Sequence, residues 1–156
     1  MPKYRFRRHT GDMKLRTGDA WMAAPAYSRT LSGLTMNLLV QDVAACTRFQ
    51  TGVLGAEIVY ADVDFAVYRG YGAEWAVHAD HTYDAHPLFP LLAAAGSKRG
   101  PGAELRLHGC DPDRAAAAAR SLGFTVVSAA TTKPHGLREA YILDADGYLW
   151  VPDVAV

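Results

Sequence analysis

The chain states one pattern twice. Asp42-Val43-Ala44-Ala45 opens an apolar helical stretch that ends at Leu54-Gly55, and Asp113-Arg114-Ala115-Ala116 opens another that ends at Leu122-Gly123. A β-rich run follows each Leu-Gly: Ala56 to Ala61, then Phe124 to Ala129. Two more strand-like segments follow each run, joined by turns at Gly70-Tyr71-Gly72 and at Asp144-Ala145-Asp146-Gly147. Gly55 and Gly123 set a period of 68 residues. A strand, a helix and three strands of that length leave one apolar sheet face bare, so two copies must pair. The expected fold is α+β, with two βαβββ modules forming a curved, mainly antiparallel sheet and the helices outside. The cleft of such a pairing is the place to seek function.

Strand one is expected at about 34–40, with Asp42 as the N-cap of a helix running to Leu54 and Gly55 as its left-handed stop. Strands are expected at about 57–61, 64–69 and 73–78. A link rich in His and Pro covers 79–101, with a short helix near 87–95. Strand five falls at 103–108, and Asp111 or Asp113 caps an Ala-rich helix. Strands at about 124–129, 137–143 and 148–151 complete the chain. The modules therefore cover about 34–80 and 102–153, within one domain at 34–153.

Residues 1–33 read as a separate basic arm, punctuated by Pro2, Gly11, Gly18, Pro25 and Gly33, with no helical period. The arm carries seven Lys/Arg against two acids and the remainder nine against fourteen, so +5 and −5 give the net zero. Lys3, Arg5, Arg7 and Arg8 could attract a phosphate backbone, but the acidic body would repel it, and no nucleic acid is expected as a partner. An arm lying on its own acidic body suits the charges better, and Trp21, Met22 and Tyr27 are apolar enough to dock there. Cys46 and Cys110 show no CxxC spacing and read as reduced structural thiols. No apolar run reaches ~18 residues and no secretory signal is recognised, so no membrane partner and a cytoplasmic location are expected.

The order βαβββ twice, together with "NLLVQDVAACTRFQTGVLGAEIVY" and "KPHGLREAYILDADGYLWVP", resembles the vicinal oxygen chelate superfamily. That group holds glyoxalase I, bleomycin-resistance proteins, fosfomycin-modifying enzymes and extradiol dioxygenases. Asp144-Ala145-Asp146-Gly147 is similar to the family's Asp-Pro-Asp-Gly turn, and Phe49-Gln50 stands where a Phe-Tyr pair is common. The resemblance covers about 34–153. It implies a glyoxalase/bleomycin-resistance-like fold, often assembled as a homodimer.

The resemblance also implies where a divalent metal would sit. Metal-dependent members place ligands at the starts of strands one and five and on the last strand. Seven residues before Asp42 lies Thr35, seven before Asp111 lies Glu104, and four past Gly147 lies Val151. Ala76 takes the pseudo-equivalent place after Gly72. One carboxylate cannot hold a divalent cation tightly, so no metal is expected.

Strand alternation then sorts the faces. Thr35, Asn37 and Leu39 face the cleft, while Met36, Leu38 and Val40 face the helix. Glu74, Ala76 and His78 face the cleft, as do Glu104, Arg106 and His108; Trp150 enters the core. Expected ligand-binding residues are therefore Asn37, Glu74, His78 and Arg106, with His135 at the mouth and Glu104 as the candidate catalytic base or remnant ligand. A solvated face with Glu104–Arg106 or Glu74–Arg106 ion pairs is the plainer alternative. His78, His81 and His86 match no standard metal spacing and read as loop polar groups. Tyr60, Tyr68 and Tyr71 read as packing aromatics. Arg138 and Tyr141 lie on opposite faces of one strand, with the cleft-facing one open. Two functions remain. One is a metal-free protein that binds or sequesters a small aromatic molecule. The other is a metal-dependent lyase, isomerase or dioxygenase related to glyoxalase I.

Overall fold

The computed structural model describes residues 14–156. The arm's basic residues Lys3, Arg5, Arg7 and Arg8 lie outside that range. The described chain opens with a single helical turn, α1 (Ala24–Ser28), which breaks the extended reading of the arm; Pro25 stands in its first turn, where a missing N–H costs nothing.

The first module is β1 (Asn37–Val40), α2 (Val43–Gly52), β2 (Glu57–Ala61), β3 (Phe65–Gly70) and β4 (Ala73–Ala79). A link follows, with a 3-10 turn at Asp80–Tyr83 and a short helix, α3 (Phe89–Ala95). The second module is β5 (Glu104–His108), α4 (Pro112–Leu122), β6 (Thr125–Thr132), β7 (Leu137–Leu143) and β8 (Leu149–Ala155). The strand orders β1-β4-β3-β2 and β5-β8-β7-β6 repeat one topology. In each, one parallel pair joins two antiparallel pairs. The strands thus divide into two four-stranded sheets, one per module. β1 starts three residues later than expected and β8 ends four residues later.

Local chemistry fixes the helices. The Asp42 carboxylate accepts from the Ala44 amide at 2.8 Å, and Asp111, not Asp113, caps α4 by accepting from Asp113 and Arg114 at 2.9 and 3.1 Å. Pro112 follows the cap directly, and Gly123 closes α4 in the left-handed region.

The helix-facing strand residues of both modules build one core. Leu38, Val40, Trp75, Val77, Ala140, Ile142 and Trp150 lie in it with Phe49 and the small face Ala115, Ala116 and Ala119. Trp150 is fully buried and sits 5.7 Å from the Trp75 ring and 6.2 Å from Phe49, so aromatics of the two modules touch. Both cysteines are buried and free.

A polar seam joins the modules. Arg99, from the link, donates to Leu39 O at 2.9 Å and makes a two-pronged bond to Asp80 at 2.7 and 2.6 Å. Asp146 accepts from the Gln41 amide at 2.9 Å, and its backbone carbonyl accepts from the Arg99 amide at 3.0 Å. Asp144 accepts from the amides of Asp146 and Tyr148 and from the indole of Trp150. The Asp-x-Asp-Gly turn is thus a structural joint in this chain.

Candidate functional site

The strand faces turned away from the core carry the polar residues in the expected register. The structure distributes them over two places. Asn37, Glu74 and His78 stand on the first sheet. Glu104, Arg106 and His135 belong to the second module. Among the described residues, the cavity on the first sheet is lined only by residues 14–83.

That cavity has a volume of about 990 Å3, in the range of small-molecule pockets. Its floor is the sheet: Phe65 lies directly across from His78 in the β3–β4 pairing, and Asn37 pairs with Ala76 across β1–β4. Its roof is the segment 14–34. Trp21 packs on Tyr60 at 5.0 Å and on Tyr27 at 5.4 Å; Tyr27 packs on Phe65 at 5.7 Å. The rings meet at 65°, 42° and 72°, so they form one continuous wall of tilted and edge-to-face contacts. Asp64 fastens the roof. It is 1 % exposed and accepts from the amides of Leu15 and Arg16 at 2.8 and 3.2 Å and from His81 at 2.7 Å. Burial pushes the Asp64 carboxyl up, but these bonds outweigh burial and hold it below the usual range. His81 is therefore part of a latch.

His78 is the polar centre. Its ring packs at a tilt against Phe65 at 4.5 Å and edge to face against Tyr83 at 5.1 Å. Its Nδ1 lies 2.6 Å from Asn37 Oδ1, and Asn37 Nδ2 donates to Tyr83 Oη at 3.2 Å. With its amide N–H committed to Tyr83, Asn37 offers an acceptor to the imidazole, so Nδ1 carries the proton and Nε2 is an acceptor. Burial lowers the His78 pKa to about 4, so the ring is neutral at pH 7. Because this pKa is depressed from 6.5, its contribution to stability is complete above pH 6.5 and is lost as pH falls towards 4. The expected loss is on the order of 2 kcal/mol for a partly solvated ring. His78→Phe should flatten that part of a stability–pH curve measured by denaturant unfolding; an unchanged slope would remove His78 from it.

Of the two ion pairs left open in the sequence, Glu104–Arg106 forms and Glu74–Arg106 does not. Glu74 pairs with Arg69, directly opposite on β3, at 2.8 Å.

On the second sheet Arg106 is the hub. It donates to Glu104 at 2.9 Å, to Asp153 at 3.0 Å and to Glu139. Tyr141 donates to Glu139 at 2.6 Å, His108 lies 2.7 Å from Asp153, and His135 lies 3.5 Å from Glu139. The Tyr141 hydroxyl and the Arg106 guanidinium hold the Glu139 carboxyl down to about 2, against burial. Arg138 instead crosses to the helix side and bonds Asp113 at 2.6 Å, so Tyr141 takes the face opposite the core. Glu139 and Asp153 were not among the residues singled out from sequence. The apolar alternation of Ala140 and Ile142 held the signal, since it forces Glu139 and Tyr141 to the other face.

The donors at the family's ligand positions do not fit a divalent cation. Val151 is fully buried and has no donor, Thr35 is exposed, and the Glu104 carboxylate is turned onto Arg106. No described group of three His, Cys, Asp or Glu side chains is placed to hold a metal. Among the described residues no helix is long and apolar enough to cross a membrane.

Comparison with solved structures supports the fold. A glyoxalase/bleomycin resistance protein/dioxygenase family enzyme from Burkholderia phytofirmans PsJN superposes with a TM-score of 0.62 at 16% identity, over 78% of this chain and 97% of that one. The fosfomycin resistance protein FosX from Mesorhizobium loti superposes with a TM-score of 0.56 at 21% identity, over 81% and 94%. TioX from Micromonospora sp. ML1 gives 0.57 at 17%, over 80% and 97%. No curated protein matches the sequence. The family model for the glyoxalase/bleomycin resistance protein/dioxygenase superfamily matches residues 33–151, and the chain belongs to that superfamily.

Proposed function

We propose that this protein is a metal-free small-molecule-binding protein of the glyoxalase/bleomycin-resistance type, with the cavity between the first sheet and residues 14–34 as its site. The observation that carries this reading is the cavity itself: about 990 Å3, walled by aromatic rings, with one neutral imidazole and one carboxamide as its polar centre. Sequestration or resistance is the role in view, a reading to which the likeness in fold to fosfomycin resistance proteins lends support. Catalysis by a related lyase, isomerase or dioxygenase would need Glu104 as base or ligand. Its carboxylate bonds Arg106 and stands outside the cavity, which counts against that role. A homodimer and a cytoplasmic setting complete the proposal.

The test is a thermal-shift screen of neutral aromatic and polycyclic compounds, with metal analysis of protein purified without chelator. A ligand at a hundred times its Kd should stabilise the native state by ~2.7 kcal/mol. No shift with any compound, or stoichiometric Ni, Zn, Mn or Fe, would contradict the reading.

A further inference from the structure

The segment 14–34 lies almost wholly outside the family-matched residues 33–151, yet it supplies the roof of the cavity. Its Trp21 and Tyr27 continue, ring against ring, into Tyr60 and Phe65 of the sheet. Trp21 is 39% exposed, so it stands at the rim and is not locked into the core. The rings meet at 38° to 72°, tilted or edge to face, so the wall offers single ring faces and edges against which a further aromatic ring can pack.

The polar side of the cavity is narrow in what it accepts. His78 is held by Asn37 through Nδ1, and Nε2 has no partner among the described residues. A neutral imidazole acceptor in an apolar surround is satisfied by an O–H or N–H donor. The charges lining the cavity do not call for an ionic ligand. The lining carries Lys14 and Arg16 beside Asp19, Asp64 and Glu74; Arg16 lies 3.9 Å from Asp62, Glu74 is occupied by Arg69, and Asp64 by His81 and the arm's own amides.

We infer that residues 14–34 are a specificity element that makes this pocket select a neutral, planar aromatic molecule bearing one hydrogen-bond donor, with the donor on Nε2 of His78 and the ring system against Trp21 and Tyr27. This rests on the proposed function above and names the ligand class of that site. Trp21 and Tyr27 act by ring packing and His78 by accepting; no bond of the ligand is broken.

Three probes of nearly one shape test it on the full chain by calorimetric or fluorescence titration. They are 2-naphthol, its methyl ether 2-methoxynaphthalene, and the anion 2-naphthoate. The naphthol should bind about tenfold tighter than the ether, the effect of one hydrogen bond, and naphthoate should bind most weakly. His78→Phe, which keeps a ring between Phe65 and Tyr83, should erase the preference for naphthol and leave the ether's Kd within about twofold. Trp21→Ala should weaken naphthol and ether together by several-fold. Equal binding of naphthol and ether, tighter binding of naphthoate, or a preference that survives His78→Phe would overturn the inference while leaving the pocket reading intact. So would a Trp21→Ala variant that binds as well as the parent. If none of the three binds while the wider thermal-shift screen gives a ligand, the inference falls and the pocket reading stands. The ether comparison needs no variant, so a misfolded mutant cannot mask the answer.

Discussion

Arg106→Ala is expected to destabilise the fold by ~3–5 kcal/mol at pH 7. Glu139 and Asp153 are 2% and 0% exposed and sit directly opposite each other across β7 and β8. Like charges at that spacing repel, and burial removes the water that would screen them. The Arg106 guanidinium lies against both and reaches Glu104 as well. Without it, His108 and Tyr141 still contact the two acids, but no permanent cation remains between them. The pH dependence is the sharper signature. In the parent chain the depressed Glu139 pKa contributes stability above pH 4.5 that is lost as pH falls towards 2. In the variant Glu139 loses the Arg106 cation and keeps the like-charged Asp153 opposite, so acid should restore stability. The gap between parent and variant should therefore shrink between pH 7 and 4 in denaturant unfolding. A gap that holds constant would contradict this account of the second sheet.

Gly147→Ala should cost ~3 kcal/mol or more, from a left-handed backbone and a backbone clash together. Gly147 has φ +83, and a Cβ there would lie 2.1 Å from Ser97 O and 2.9 Å from Ser97 C. Both are backbone atoms of the link, which must move to make room. Movement at Ser97 carries Arg99 with it, two residues on, and loosens its hold on Asp80, Leu39 and Asp146. The joint between the modules would open. Gly136→Ala is the matched control: φ is +85 there and nothing lies within 4 Å of the added carbon. Only the left-handed backbone is penalised, by ~1–2 kcal/mol. Thermal or denaturant unfolding of the two variants separates strain from clash, and equal losses would deny the joint its role.

The repeat and the face alternation carried the fold in the sequence, because a period of two residues in strands and a cap-to-glycine helix are local properties. Leu38 and Val40, then Trp75 and Val77, entered the core on that basis. The site was only half legible for the opposite reason. Whether Asn37 and Glu104 share a cleft depends on how the two sheets are set against each other, which no strand pattern encodes. The same holds for partners. Glu74 chose Arg69 through β3–β4 register, and Arg106 chose Glu139 and Asp153 through the β5–β8–β7 order. Trp21 and Tyr27 were visible as apolar residues in a basic arm, but their place over Tyr60 and Phe65 is a long-range contact.

The cavity on the first sheet is proposed to bind an aromatic small molecule without a metal. The most direct measurement is a 2-naphthol titration of the full chain after exhaustive chelator treatment, repeated with added Mn, Ni or Zn. Saturable binding with one Kd is expected in every condition. Binding that vanishes in chelator and returns with the metal would contradict it.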